Sequence, residues 1–132
     1  MALLSGCRAE EPSVGMTLVY ECEGPKIVVH KFQPEGMRAG GPGVVGCGPR
    51  GGAEMAFMPG DGQGEMPRYV DVEWWVHPAQ ENKFKKRINL SSVIAPELIA
   101  RVRANAQTTQ LKLIMTFKGD QLEVKAEAYK WR

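Results

Sequence analysis

Leu111-Lys112-Leu113-Ile114-Met115-Thr116-Phe117-Lys118-Gly119-Asp120-Gln121-Leu122-Glu123-Val124-Lys125-Ala126-Glu127-Ala128 is the stretch on which the fold turns. Gly-Asp suits a two-residue hairpin turn, where the backbone must take positive φ. With Gly119-Asp120 as that turn, Phe117 faces Leu122, Met115 faces Val124, Leu113 faces Ala126 and Leu111 faces Ala128. On the other side Lys112 meets Glu127 and Thr116 meets Glu123. Each pair matches in character, and a slip of one residue would send every apolar side chain to the wrong face. A hairpin over 111–131 follows. Its apolar face needs a partner layer.

The segments upstream supply that layer. Arg68 to Val76 reads as a central strand, with Val70, Val72, Trp74 and Val76 on one face and Tyr69, Asp71, Glu73 and Trp75 on the other. His77-Pro78 ends it, because proline cannot donate to a ladder. Phe84 to Leu90 is a possible next strand. Met16 to Cys22 and Lys26 to Phe32 are two more, separated by the turn residues Glu23-Gly24-Pro25. Ile27, Val29 and Lys31 alternate with Val28, His30 and Phe32, leaving both faces largely apolar, as a central strand requires. Ser92 to Ala106 reads as one helix, with its regular part over about 95–106. Pro96 suits its first turn, Glu97 its positive end, and Leu98, Ile99, Val102 and Ala106 form an apolar stripe. The expected fold is mainly β with one helix (α+β), an antiparallel sheet or small sandwich.

Between Gly36 and Gly64 the composition changes. Ten of the chain's fifteen glycines lie between Gly40 and Gly64, and side chains this small cannot offset the entropy of ordering a regular element. A loop is expected, interrupted by a short strand near Glu54 to Met58. Long loops within compact domains are often functional. Met37, Arg38, Arg50 and Met58 in or near it, with Trp75, belong to residue types enriched at protein interfaces, and they are the candidate partner-binding set. The plainer alternative is that the methionines fill the base of the loop.

The 132 residues suffice for one domain with its own core. Seventeen basic and fifteen acidic residues leave a net charge of +2, without the basic excess of a nucleic-acid binder. Lys83, Lys85, Lys86 and Arg87 form the nearest thing to a basic run. They suit an acidic partner or lipid headgroup, or else a solvated strand or turn. No apolar run reaches the roughly 18 residues of a membrane span.

Catalytic and cofactor signals are sparse. His30 lies in an apolar strand and reads as a satisfied core residue, while His77 at a strand end should be exposed. Ser91 and Ser92 precede the helix and read as caps, not nucleophiles. Cys22, Cys47 and the histidines lack paired metal-ligand spacing. Gly41-Pro42-Gly43-Val44-Val45-Gly46 fits the dinucleotide pattern formally, but Gly48-Pro49 and Gly51-Gly52 follow at once, where that site needs a helix to begin. We therefore expect no enzyme activity, cofactor, metal or small-molecule substrate. A site assembled from His30, His77 and Asp71 is the enzymatic alternative.

The N-terminus suggests an address. Leu4-Ser5-Gly6-Cys7 has the form of a lipobox, in which the cysteine thiol receives a diacylglycerol and the new amino group a further acyl chain. Chains in that number anchor a protein firmly. The six residues before Cys7 are too few for the charged head and apolar segment of a full signal peptide. Residues 1–7 read as residual leader and lipobox, 8–15 as a flexible tether, and 16–132 as the globular domain. With Cys7 set aside, Cys22 and Cys47 remain. In an oxidising periplasm they either join, if their Cβ atoms approach, or stand as two buried thiols.

The lipobox, the small β-rich domain, the segment Gly40-Gly41-Pro42-Gly43-Val44-Val45-Gly46-Cys47-Gly48 and the strand ending Val72-Glu73-Trp74-Trp75 together resemble a family of small Gram-negative lipoproteins. Some of its members are immunity proteins against phospholipase effectors of type VI secretion. Cys47 stands alone here, whereas relatives can carry adjacent cysteines. The resemblance covers roughly residues 7 to 80. It implies a periplasmic, membrane-anchored protein that binds a toxic lipase and blocks its active site or substrate entry, without catalysis. An envelope structural or assembly lipoprotein, binding another envelope protein, is the alternative.

Overall fold

The computed structural model describes residues 15–36, 40–48, 51–57, 67–105 and 107–130. Their eight strands are β1 (Met16–Cys22), β2 (Ile27–Pro34), β3 (Gly43–Val45), β4 (Ala53–Phe57), β5 (Tyr69–Val76), β6 (Phe84–Asn89), β7 (Thr109–Lys118) and β8 (Gln121–Lys130). A short helix α1 (Leu90–Val93) and a longer α2 (Pro96–Ala104) sit between β6 and β7. The strands form two four-stranded sheets, β4-β1-β7-β8 and β3-β2-β5-β6.

The hairpin β7–β8 has the expected register at every position, from Phe117 opposite Leu122 to Leu111 opposite Ala128. Gly119 supplies the positive φ of its turn, at +61°. β1 lies beside β7 and runs parallel to it, Met16 opposite Leu111 and Cys22 opposite Phe117. This is the one parallel pairing among the described strands; the others are antiparallel.

Apolar residues from both sheets meet between them. Met16, Leu18 and Tyr20 of β1 and Leu111, Leu113, Met115 and Phe117 of β7 face Ile27, Val29 and Phe32 of β2 and Val70, Val72 and Trp74 of β5. Nearly all are below 3 % exposed, and no charged side chain is buried with them among the described residues. Burying one such side chain contributes about 1.5–3 kcal/mol, so this layer is the main source of stability. Ala126 and Ala128 on the inner face of β8 are small, and α2 packs against β7 and β8 with Val102 buried. Bulkier residues on β8 would occupy the helix's place.

Four expectations are corrected. The Gly-rich segment holds a second strand, β3, paired with β2 through Val28 opposite Val44; its ladder comes from a partner that composition does not reveal. The helix does not run unbroken from Ser92. Ile94 and Ala95 are extended, and at Ala95 the following Pro96 disfavours the helical region. Ser91 and Ser92 cap nothing. They lie inside α1, whose N-cap is Asn89, while Ala95 caps α2, and neither cap makes a side-chain hydrogen bond. His30, expected in the core, is exposed. A bulge between Val29 and Lys31 lets β2 carry one extra residue against β5. That residue is His30. The bulge also returns Phe32 to the inner face, where simple alternation would place it with His30.

Cys22 and Cys47 are bonded, with Cα atoms 4.8 Å apart. The bridge ties β1 of one sheet to the chain just beyond β3 of the other. Beside it, Gly51 lies so close to Gly46 that a Cβ there would overlap the Gly46 carbonyl.

Candidate functional site

The outer face of the sheet β3-β2-β5-β6 collects the chemistry that the core excludes. β5 turns Tyr69, Asp71, Glu73 and Trp75 outward because Val70, Val72 and Trp74 point in. Trp75 stands opposite Val28 of β2, which stands opposite Val44 of β3. These three make an apolar row across the sheet. Val44 is 59 % exposed, whereas Trp75 is only 9 % exposed. The His30 ring lies 5.5 Å from the Trp75 ring between centroids, and Lys83 Nζ is 6.0 Å from the same ring. His30 of β2 and Lys83 of the turn before β6 thus flank this tryptophan.

Beside the row lies a charged band. Glu73 sits within 4.0 Å of three nitrogens: His30 Nε2 at 3.9 Å, Lys83 Nζ at 4.0 Å and Lys85 Nζ at 3.8 Å. None of these distances is a hydrogen bond, so the lysines are held only by charge. Asp71 differs. Arg87 grips it with two hydrogen bonds, Nε to Oδ1 at 2.8 Å and Nη2 to Oδ2 at 3.1 Å, and these hold the Asp71 carboxyl below the usual carboxylate range. The Arg87 guanidinium also lies 3.9 Å from the centre of the Tyr69 ring. A bidentate, stacked arginine is fixed in direction in a way a lysine is not.

These rows enclose a shallow groove of about 300 Å³ lined by Lys31, Asp71, Val72, Glu73, Lys85, Lys86 and Arg87. Lys31, Lys85 and Arg87 face two carboxylates there, while Lys86, opposite the inward-facing Val72, belongs to the other face. The run Lys83 to Arg87 is thus a turn and edge strand. Lys83, Lys85 and Arg87 lean on carboxylates of β5, and Lys86 Nζ donates to the Leu122 carbonyl at 2.9 Å. A second hollow, of about 320 Å³, opens beside the start of β5, where Leu90, Ile94 and Ile99 meet Arg68 and Asn89.

Of the candidate partner-binding residues, Trp75 is placed on this outer face. Met37, Arg38, Arg50 and Met58 lie outside the described residues, as does Cys7 with its lipobox and tether. His30 and Glu73 come together here, while His77 is exposed beyond the end of β5. Gly41 to Gly46 runs into β3 and opens no helix. Among the described residues, no group of three or more His, Cys, Asp or Glu is placed to hold a metal ion, and no helix is long and apolar enough to cross a membrane.

Sequence reasoning passes over Lys31, Val28 and Val44. The charge alternation of Asp71 and Glu73 against Lys85 and Arg87 is the signal that could have found this face. It becomes legible once β5 and β6 are paired with Asp71 opposite Arg87 and Glu73 opposite Lys85. The fold places the chain among two-sheet β sandwiches closed at one side by a short helical crossover. No protein-family model, curated protein or solved structure matches it.

Proposed function

We propose that this protein acts by binding another protein, as a periplasmic immunity protein that inhibits a phospholipase effector of type VI secretion. The observation that carries the binding reading is the outer face of the second sheet, where the Val44, Val28 and Trp75 row adjoins a groove rich in cations. Tryptophan and arginine are the side chains most often found as binding anchors, and a rigid sheet presents them without the entropy of ordering a loop. The choice of phospholipase as partner is supported by the sequence resemblance. A lipid on Cys7 would hold the inhibitor at the membrane such an enzyme attacks, raising its local concentration there.

The test is a titration of the full chain into purified phospholipase effectors of type VI secretion, read with a fluorogenic ester. Activity should fall to baseline near stoichiometric inhibitor. Full activity at a large excess overturns the proposal.

A further inference from the structure

We infer that the outer face of the sheet β3-β2-β5-β6 docks an acidic protein surface, one whose carboxylates enter the groove between Lys31, Lys85 and Arg87 while an apolar side chain rests on Val44 and Trp75. The inference builds on the reading that the protein works by binding another protein, and it names the chemistry of that partner.

Charge carries it. On this face Lys31, Lys85 and Arg87, with Lys83 beside them, stand against the two carboxylates Asp71 and Glu73. Lys85 has 74 % of its side chain exposed and is held to Glu73 only at 3.8 Å. Lys83 is held as loosely, at 4.0 Å. Both can turn to an incoming carboxylate without breaking a hydrogen bond. Arg87 cannot, since Asp71 fixes it, so it serves as a stationary positive wall. The apolar row gives the contact a dry edge, and Val44 is its exposed end.

A uniformly anionic partner fits less well. Phosphates of a bilayer or a nucleic acid would meet Asp71 and Glu73 inside the groove, and like charges set face to face are costly. A protein surface can set donors opposite these two carboxylates and its own carboxylates opposite the lysines. Insertion into a bilayer also calls for protruding apolar side chains, whereas Trp75 lies flush with its neighbours at 9 % exposed.

The experiment titrates the oxidised full chain, isotopically labelled, with three probes at equal ionic strength. These are a synthetic peptide of glutamates interspersed with leucine, phosphatidylglycerol vesicles and duplex DNA. Amide shifts should cluster at Lys31, Trp75, Lys85 and Arg87 with the peptide. Lys85→Glu and Lys31→Glu should each weaken peptide binding about tenfold, while Lys125→Glu, the same charge change on the other sheet, should leave it unchanged. Shifts elsewhere, equal weakening by Lys125→Glu, or tighter binding of vesicles or DNA overturn the inference. The same variants are assayed against the phospholipase. A wild-type chain that binds the peptide on this face but does not inhibit removes the lipase reading alone. Inhibition retained by both Lys85→Glu and Lys31→Glu removes the acidic-surface inference alone.

Discussion

Trp74 Nε1 donates a 2.9 Å hydrogen bond to the carbonyl of Gly119, which joins the central strand of one sheet to the hairpin turn of the other. The indole is 1 % exposed and packs edge-on against Phe117, with ring centroids 5.3 Å apart. The bond resolves a difficulty of tryptophan in a core, where a buried N–H without a partner is costly. Trp74→Phe keeps a ring but removes the donor and some volume, and should cost about 1–2 kcal/mol. Trp74→Ala should cost about 3–5 kcal/mol. Urea unfolding of the two variants checks both, and a Trp74→Phe protein as stable as wild type would show the bond to be incidental.

The bridge between Cys22 and Cys47 spans 25 residues of sequence and joins the two sheets at one corner. Closing a loop of that length restricts the unfolded chain by roughly 3 kcal/mol on the chain-entropy model. The double variant Cys22→Ala/Cys47→Ala should lose stability of that order. Reductant should lower the unfolding midpoint of the wild type and leave the double variant unmoved. Equal sensitivity of both proteins to reductant would place the effect elsewhere.

Glu35, just after β2, accepts hydrogen bonds from the backbone N–H of Arg68 at 2.9 Å and from its Nε at 2.8 Å, with Nη2 as a third donor. The Arg68 side chain, then its backbone, holds the Glu35 carboxyl down to about 2 from an ordinary 4.5. The folded value lies below the unfolded one. The stabilisation is therefore complete above pH 4.5 and drains away as the pH falls toward 2. Arg68→Ala removes the larger cause and keeps the backbone donor, so it should raise the carboxyl part of the way toward its ordinary range and lessen the loss of stability across that window. Titration of the Glu35 carboxyl by NMR, with melts at about pH 5 and about pH 2.5, tests this. An unchanged midpoint in Arg68→Ala would refute it.

Local chemistry and side-chain character decide some elements of this fold, and tertiary partners decide the rest. The hairpin is legible in the sequence because successive pairings along it each carry their own check. The inner face of β5 is legible for the same reason, its valines and Trp74 alternating without a break. The face of His30 is not, since one inserted residue in β2 reverses the phase and the cause lies in pairing with β5. The strand β3 is hidden because three residues among glycines are ordered only by their partner. The parallel pairing of β1 with β7 joins residues far apart in the chain, and no local pattern encodes it. At the candidate site, Trp75 and the basic run are visible one at a time. That Glu73 gathers His30, Lys83 and Lys85 requires β2, β5 and β6 to be placed side by side.

The helix α2 begins without a side-chain cap. Its N-cap position is Ala95, an exposed residue whose φ of −66° and ψ of 142° already match a capping conformation, and no side chain at that position accepts from the first turn. Pro96 sets the first helical φ and Glu97 complements the positive end, so only the capping oxygen is missing. Aspartate or serine at this position can accept from the N–H of Glu97 or Leu98 without moving the backbone. Ala95→Asp and Ala95→Ser should each stabilise the protein by about 1 kcal/mol, at the centre of the range for such caps. Ala95→Gly should fall a few tenths of a kcal/mol short of them, because it lacks the oxygen. Thermal melts at neutral pH separate the three. Equal gains from glycine and aspartate would mean that backbone freedom, and not the missing acceptor, limits the start of this helix.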